Sequence, residues 1–135
     1  MILAANRDEF LDRPAEGPAI RPTEAGPILA PLDVKAGGTW LGLNKWGVLC
    51  ALTNLSSSES DPKRLSRGRV VTDCLSESSA TAVADRLAAL PADLHNAFNC
   101  FVCDSERAFV AAYAYRGAAK VEELSPGVHV VGNAD

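Results

Sequence analysis

The stretch that most constrains the fold is residues 48–54, Val-Leu-Cys-Ala-Leu-Thr-Asn. Strand side chains alternate between faces, so Val48, Cys50, Leu52 and Asn54 share one side and Leu49, Ala51 and Thr53 the other. Both sides are apolar, which predicts a strand covered on both faces and a layered protein around it. Upstream, Gly37-Gly38-Thr39-Trp40-Leu41-Gly42-Leu43 leads into a partner strand. Asn44-Lys45-Trp46-Gly47 then makes a hairpin loop of about four residues. At the end of the return strand, the Asn54 amide could donate to a ligand or cap a turn.

A second constraint is the polar run Asn6-Arg7-Asp8-Glu9 at the end of an apolar segment, residues 2–5. Read as a buried strand, the segment places Asn6 and Asp8 on one side and Arg7 and Glu9 on the other. An uncompensated charge there would cost on the order of several kcal/mol, which pairing of Arg7 with a carboxylate would offset in part. The run is either an active-site rim or a strand end emerging into solvent, closed by Arg13-Pro14.

Prolines at 14, 18, 22, 27 and 31 predict an extended, irregular segment with neither helix nor central strand. Residues 56–63 read as a Ser-rich loop, followed by Lys63, Arg64, Arg67 and Arg69. That cluster is a solvated face, or an anion site ahead of the helix that Val70, Val71, Cys74 and Leu75 define by spacing. A second helix starts after Ser79, an N-cap, and runs through Val83, Leu87 and Leu90 to Pro91. Strands are expected at 99–103, 109–115 and 121–124, and again at 128–132 after Ser125-Pro126-Gly127. Strands, two helices, then strands read as an α+β fold with a layered antiparallel sheet.

With 135 residues, 47% of them hydrophobic, the chain suffices for one core and one domain. A net charge of -4 argues against nucleic-acid binding, because phosphate backbones reward basic surfaces. No apolar stretch approaches the roughly 20 residues of a membrane span, and Asn6 to Glu9 interrupts any signal-peptide pattern. The four cysteines read as reduced, mostly buried thiols in a cytoplasmic protein. Cys100 and Cys103 have CxxC spacing, but on a strand they face opposite ways, which argues against a zinc or redox pair.

Several separated motifs occur in order: Ala5-Asn6-Arg7-Asp8-Glu9-Phe10, Arg13-Pro14, Gly37-Gly38-Thr39-Trp40-Leu41-Gly42, Ala51-Leu52-Thr53-Asn54, Ser66-Arg67-Gly68, Asn99-Cys100-Phe101 and Gly132-Asn133-Ala134. Together they resemble the NRDE family, the transport and Golgi organisation protein 2 family. That family resembles the N-terminal nucleophile hydrolases, which implies an αββα sandwich and cysteine chemistry on amide or acyl-thioester bonds. The chain begins Met1-Ile2-Leu3, where the family has Met-Cys and a nucleophile strand. It is therefore expected to be one incomplete domain over residues 1–135, lacking that strand and a C-terminal part, and inactive as it stands. An unpaired sheet edge left by such a loss would invite association with another chain.

The resemblance gives Arg7, Asp8, Glu9, Asn54 and Asn133 supporting catalytic roles, with Asn54 at an oxyanion-stabilising position and Asn133 orienting substrate. It makes Asn6, Trp40, Thr53 and Arg67 substrate-binding residues, and it names no metal. The other reading is a binding or trafficking protein for haem, lipid or acyl-CoA. Haem is the one candidate cofactor, with His129, His95 and the cysteines as candidate ligands. A lone His on a strand can equally be a hydrogen-bonded structural residue.

Overall fold

In a computed structural model, which describes residues 1–7, 9–55, 60–114 and 117–132, the hairpin is where the sequence places it. The strand β3 (Leu41–Asn44) turns through Lys45, Trp46 and Gly47 into β4 (Leu49–Asn54). Gly47 takes φ +83°, a left-handed conformation that glycine adopts without penalty. The Asn44 side chain fixes the turn, its Oδ1 accepting from the N–H groups of Trp46 (3.0 Å) and Val48 (2.9 Å).

Around this hairpin the remaining strands are β1 (Ala15–Arg21), β2 (Ile28–Asp33), β5 (Phe98–Cys103), β6 (Ala108–Tyr113) and β7 (Lys120–Glu123). All seven pair antiparallel in sequence order, β1 to β7. Both helices, α1 (Arg67–Cys74) and α2 (Ala80–Ala88), lie within the one connection from β4 to β5. The fold is α+β, as the order of elements implied.

The register puts Cys50, Leu52, Phe98, Cys100, Val102, Phe109, Ala111 and Tyr113 on one face of the sheet. These residues are buried, together with Val70, Val71 and Leu75 of the α1 region and Val83 and Leu87 of α2. Burial of such side chains, each contributing about 1.5–3 kcal/mol, holds the helical layer on the sheet. Ser79 caps α2 as its sequence position predicts, its hydroxyl accepting from the Ala82 N–H at 3.2 Å.

Four expectations change. The opposite face of β4 is not covered: Leu49, Ala51 and Thr53 are only half-buried, and their neighbours Leu29 and Leu43 are 42% and 38% exposed. The proline-rich segment is not irregular but forms the β1–β2 hairpin. Its register shifts between Glu16 and Ala19, so Pro18 lies in a bulge on the edge strand, and Pro31 falls between the paired residues Ala30 and Leu32. On its other side β2 pairs with β3 only through Ile28 and Leu29, so Pro31 withholds no ladder donor there. Residues 1–7 form no strand and are exposed. An apolar run becomes a strand only with a hydrogen-bonding neighbour, and among the described residues none pairs with it. Residues 128–132 likewise form no strand, with Val128 96% and Val130 92% exposed.

Candidate functional site

The half-open face of the sheet is the floor of a cavity of about 1230 Å³. Its walls are residues 1–7 and Glu9 on one side and residues 123–127 and 129–132 on another. Ala51, Thr53 and Phe101 supply the floor from β4 and β5, and Leu52 and Asn54, whose register belongs to the helix-side face, also line it. The stretch that ends at Gly132 is tied down by two donors, Thr53 Oγ1 and Asn99 Nδ2, each 3.1 Å from the Gly132 carbonyl oxygen.

A close backbone crossing builds the basic end of the cavity. Gly38 and Gly68 touch so tightly that a Cβ on Gly38 would lie 2.7 Å from the Gly68 carbonyl carbon. At the same crossing the Thr39 N–H donates to the Gly68 carbonyl at 3.4 Å. Ser66 caps α1 there, and the contact sets Arg67, the first residue of the helix, beside Trp40 on the cavity wall. Gly38→Ala should therefore destabilise the protein by on the order of 1–3 kcal/mol through overpacking against backbone. A melting curve matching wild type would contradict this contact.

Four arginines line the cavity, and one of them, Arg107, is paired with Glu123, its Nε 2.8 Å and its Nη2 2.7 Å from the two carboxylate oxygens. Arg7 lies over the Trp40 ring, 4.8 Å from its centroid. Arg67 donates to the Ala97 carbonyl at 2.9 Å, and burial lowers its pKa from the ordinary value, with Glu9 opposing and Arg13 reinforcing the shift. Arg13 is committed to a carboxylate: its Nε lies 3.1 and 3.2 Å from the two Asp33 oxygens, and Glu9 approaches at 3.7 Å. Arg7 and Arg67 thus carry the cavity's positive charge toward any incoming anion.

Burial pushes the Asp33 carboxyl up, but the hydrogen bonds from Arg13 and from the Ala36 and Lys35 N–H groups outweigh it, so the net shift is downward. A carboxyl with a depressed folded value stabilises above its unfolded value and loses that contribution as pH falls through the folded one. The stability gap between wild type and Asp33→Asn should be full above the ordinary value of 3.8 and close as the pH drops below it. Denaturation midpoints across acid pH measure this, and a gap that widens toward low pH would contradict it.

Of the predicted site residues, Asn6, Arg7, Glu9, Trp40, Thr53, Asn54 and Arg67 all line this cavity. Asp8 and Asn133 lie outside the described residues. Trp40 is half-buried and Asn54 exposed, so neither belongs to the core. Of the basic cluster 63–69, only Arg67 reaches the cavity. His129 lines it, with Nε2 2.7 Å from the Ser125 carbonyl oxygen, as does Cys103, whose Sγ is 3.2 Å from Met1 Sδ. His95 is buried under the helices, its Nδ1 3.1 Å from the Leu65 carbonyl oxygen and its ring edge-on to Phe98 and Tyr113, so it is structural. The Arg13–Asp33 pair was not anticipated: the pairing of β1 with β2 brings together residues far apart in sequence.

A seven-stranded antiparallel sheet with helices on one face and, on the other, a partly apolar cavity that Arg7 and Arg67 line defines an α+β protein with a ligand-sized site. The profile of the family Transport and Golgi organisation 2 matches residues 1–135, and the chain belongs to that family. It is 35% identical over 140 aligned residues to Transport and Golgi organization 2 homolog of Mus musculus, covering 99% of this chain and 50% of that protein. The Homo sapiens and Bos taurus homologs are each 34% identical over the same coverage. The chain thus spans about half the length of the curated relatives it matches. No helix among the described residues is long and apolar enough to cross a membrane.

Proposed function

We propose that this chain holds an anionic, largely apolar small molecule, an acyl thioester or a porphyrin, as part of a transport or trafficking protein. The observation that carries this reading is that Arg7, over the Trp40 ring, and Arg67 line the same cavity as Ala51 and Phe101 of its apolar floor. A charged head bound at the guanidinium groups would leave the apolar body on the sheet, where burial contributes about 25 cal/mol per Å². For haem the residues fit in kind: the arginines suit its propionates, and His129, Cys103 and Met1 line the cavity with side chains able to ligate the iron, whose redox and ligand-binding chemistry haem would supply.

A second reading, amide or acyl-thioester hydrolysis on an N-terminal nucleophile fold, is favoured by the meeting of Arg7, Glu9 and Asn54 on the same cavity. In that reading Arg7 would lower a thiol pKa and Asn54 would stabilise an oxyanion. The nucleophile, the second sheet of the sandwich and the remaining half of the domain would come from sequence the longer relatives carry.

Titration of the protein with haem, and separately with a long-chain acyl-CoA, distinguishes these readings. Binding without release of free thiol from the acyl-CoA supports the carrier reading, and a Soret shift that disappears in His129→Ala assigns the iron ligand. Turnover of the acyl-CoA supports the hydrolase. Saturable binding of neither ligand would overturn the proposal.

A further inference from the structure

On the helical side of the sheet a second cavity, of about 100 Å³, opens between α1 and α2, and among the described residues it shares no lining with the large one. Its walls are apolar. Val70 and Cys74 of α1 and Leu87 of α2 are buried there, and Leu90 and Leu94 are half-buried.

One polar side chain in this lining is almost wholly buried. His95 is 4% exposed, and its Nδ1 lies 3.1 Å from the Leu65 carbonyl oxygen. A carbonyl can only accept, so Nδ1 carries the hydrogen, and in the neutral ring Nε2 is a bare acceptor. Among the described residues nothing bonds to that Nε2. No side-chain nitrogen or oxygen among them that is sealed from solvent lacks a partner, so Nε2, which has none, is open to the cavity that His95 lines. An acceptor among apolar walls leaves a place for one hydroxyl or N–H.

The rim carries opposite charges. Arg69 and Asp73 lie one turn apart on α1, both exposed, and among the described residues neither side chain has a partner. Arg86 completes the rim but is held by Glu77, its Nη2 2.6 Å from Oε1. A cation and an anion that are each unpaired match a zwitterion. The cavity volume is roughly that of three waters in the liquid, which admits a side chain of about three or four non-hydrogen atoms.

We propose that this cavity binds a small free amino acid with a hydroxyl-bearing side chain, of the size of threonine. The carboxylate faces Arg69 and the ammonium group Asp73, while the side-chain carbons rest against Val70 and Leu87 and the hydroxyl donates to His95 Nε2. Each unpartnered polar group around the cavity then gains one partner. Valine has the same shape without the donor, so it would fill the walls and leave Nε2 unpaired. Among the described residues no group of three His, Cys, Asp or Glu is disposed to hold a metal ion, so ligation does not account for the open Nε2. The inference stands apart from any reading of the large cavity.

The test follows the His95 imidazole by nitrogen NMR while the protein is titrated with L-threonine, L-valine and N-acetylthreonine amide. The expected result is a saturable shift at Nε2 with L-threonine and binding of L-valine about 10-fold or more weaker. Arg69→Gln and Asp73→Asn, both at exposed positions, should each lower the affinity for threonine about 2- to 5-fold. His95→Asn, whose amide can still donate to the Leu65 carbonyl, should bind threonine and valine alike. Should that variant fold poorly, the ratio of threonine to valine affinity in the wild-type protein gives the same information. No saturable shift with threonine, equal affinity for threonine and valine, or binding of N-acetylthreonine amide as tight as that of the free amino acid would overturn the assignment.

Discussion

Phe98→Ala is expected to destabilise the protein by about 3–5 kcal/mol, as complete truncation of a buried aromatic does. Phe98 is fully buried and stacks on Tyr113, with ring centroids 4.9 Å apart and planes 10° from parallel. Transfer of the ring to water is only part of the cost. The hole lies where Tyr113 is fixed, and the Tyr113 hydroxyl donates to the Pro91 carbonyl at 2.6 Å while accepting from the Leu94 and His95 N–H groups. Loosening Tyr113 therefore frees the return from α2 to β5 as well as leaving a void. Phe98→Leu keeps most of the volume and should cost less than about 1.5 kcal/mol. Urea unfolding of both variants would show it, and a loss under about 1 kcal/mol for Phe98→Ala would contradict the packing described.

The second large effect is expected at Asn44, a buried polar residue whose amide makes four hydrogen bonds. Its Oδ1 accepts from Trp46 and Val48, and its Nδ2 donates to the carbonyls of Leu75 at 3.0 Å and Glu77 at 2.7 Å. One side chain thus joins the β3–β4 turn to the end of α1. Asn44→Ala leaves at least the buried Val48 N–H and Leu75 carbonyl without this partner, at about 1–3 kcal/mol each, so a loss of about 2–5 kcal/mol is predicted. Asn44→Asp keeps the two acceptor bonds but turns the donors into a charge facing two carbonyls, and it should be no more stable than the alanine variant. Thermal unfolding of the pair measures this. Near-wild-type stability in either would show that the bonds contribute little.

The same residue marks how far the sequence can be read. Asn44 is legible as a turn residue from its place before Lys45-Trp46-Gly47, but its grip on α1 depends on a contact more than thirty positions away. The hairpin and both helices were readable because their signals are local: alternation in β4, spacing of Val70, Val71 and Cys74, and the Ser79 cap. The β1–β2 hairpin was hidden because proline forbids only a specific ladder bond. Pro18 and Pro31 sit at the register shift and edge where that bond is not needed. Residues 2–5 and 128–132 carry the apolar content of strands without a neighbour to pair with, and composition cannot supply one.

The residues that meet on the cavity were named through the resemblance rather than through physics. Asn6, Arg7, Glu9, Trp40, Thr53, Asn54 and Arg67 come from four separated motifs, and the sheet gathers them on one cavity. Nothing in their local spacing predicts that meeting. It depends on the crossing of Gly38 over Gly68, for which two glycine-containing motifs gave the residues but not the partner. The contact of Cys50 with Cys100 was hidden for the same reason, since the two meet only through the register of β4 on β5.

The measurement that tests the central claim most directly is quenching of tryptophan fluorescence on titration with a long-chain acyl-CoA and with haem. Trp40 lines the cavity, whereas Trp46 lies on the hairpin turn and does not, so Trp46→Phe isolates the reporter. Saturable quenching should persist in Trp46→Phe and weaken about 10- to 100-fold in Arg67→Ala, the loss of one charge-assisted hydrogen bond. Equal affinity in the Arg67→Ala protein, or no saturable quenching by either ligand, would contradict the cavity that Arg67 and Trp40 line as the binding site.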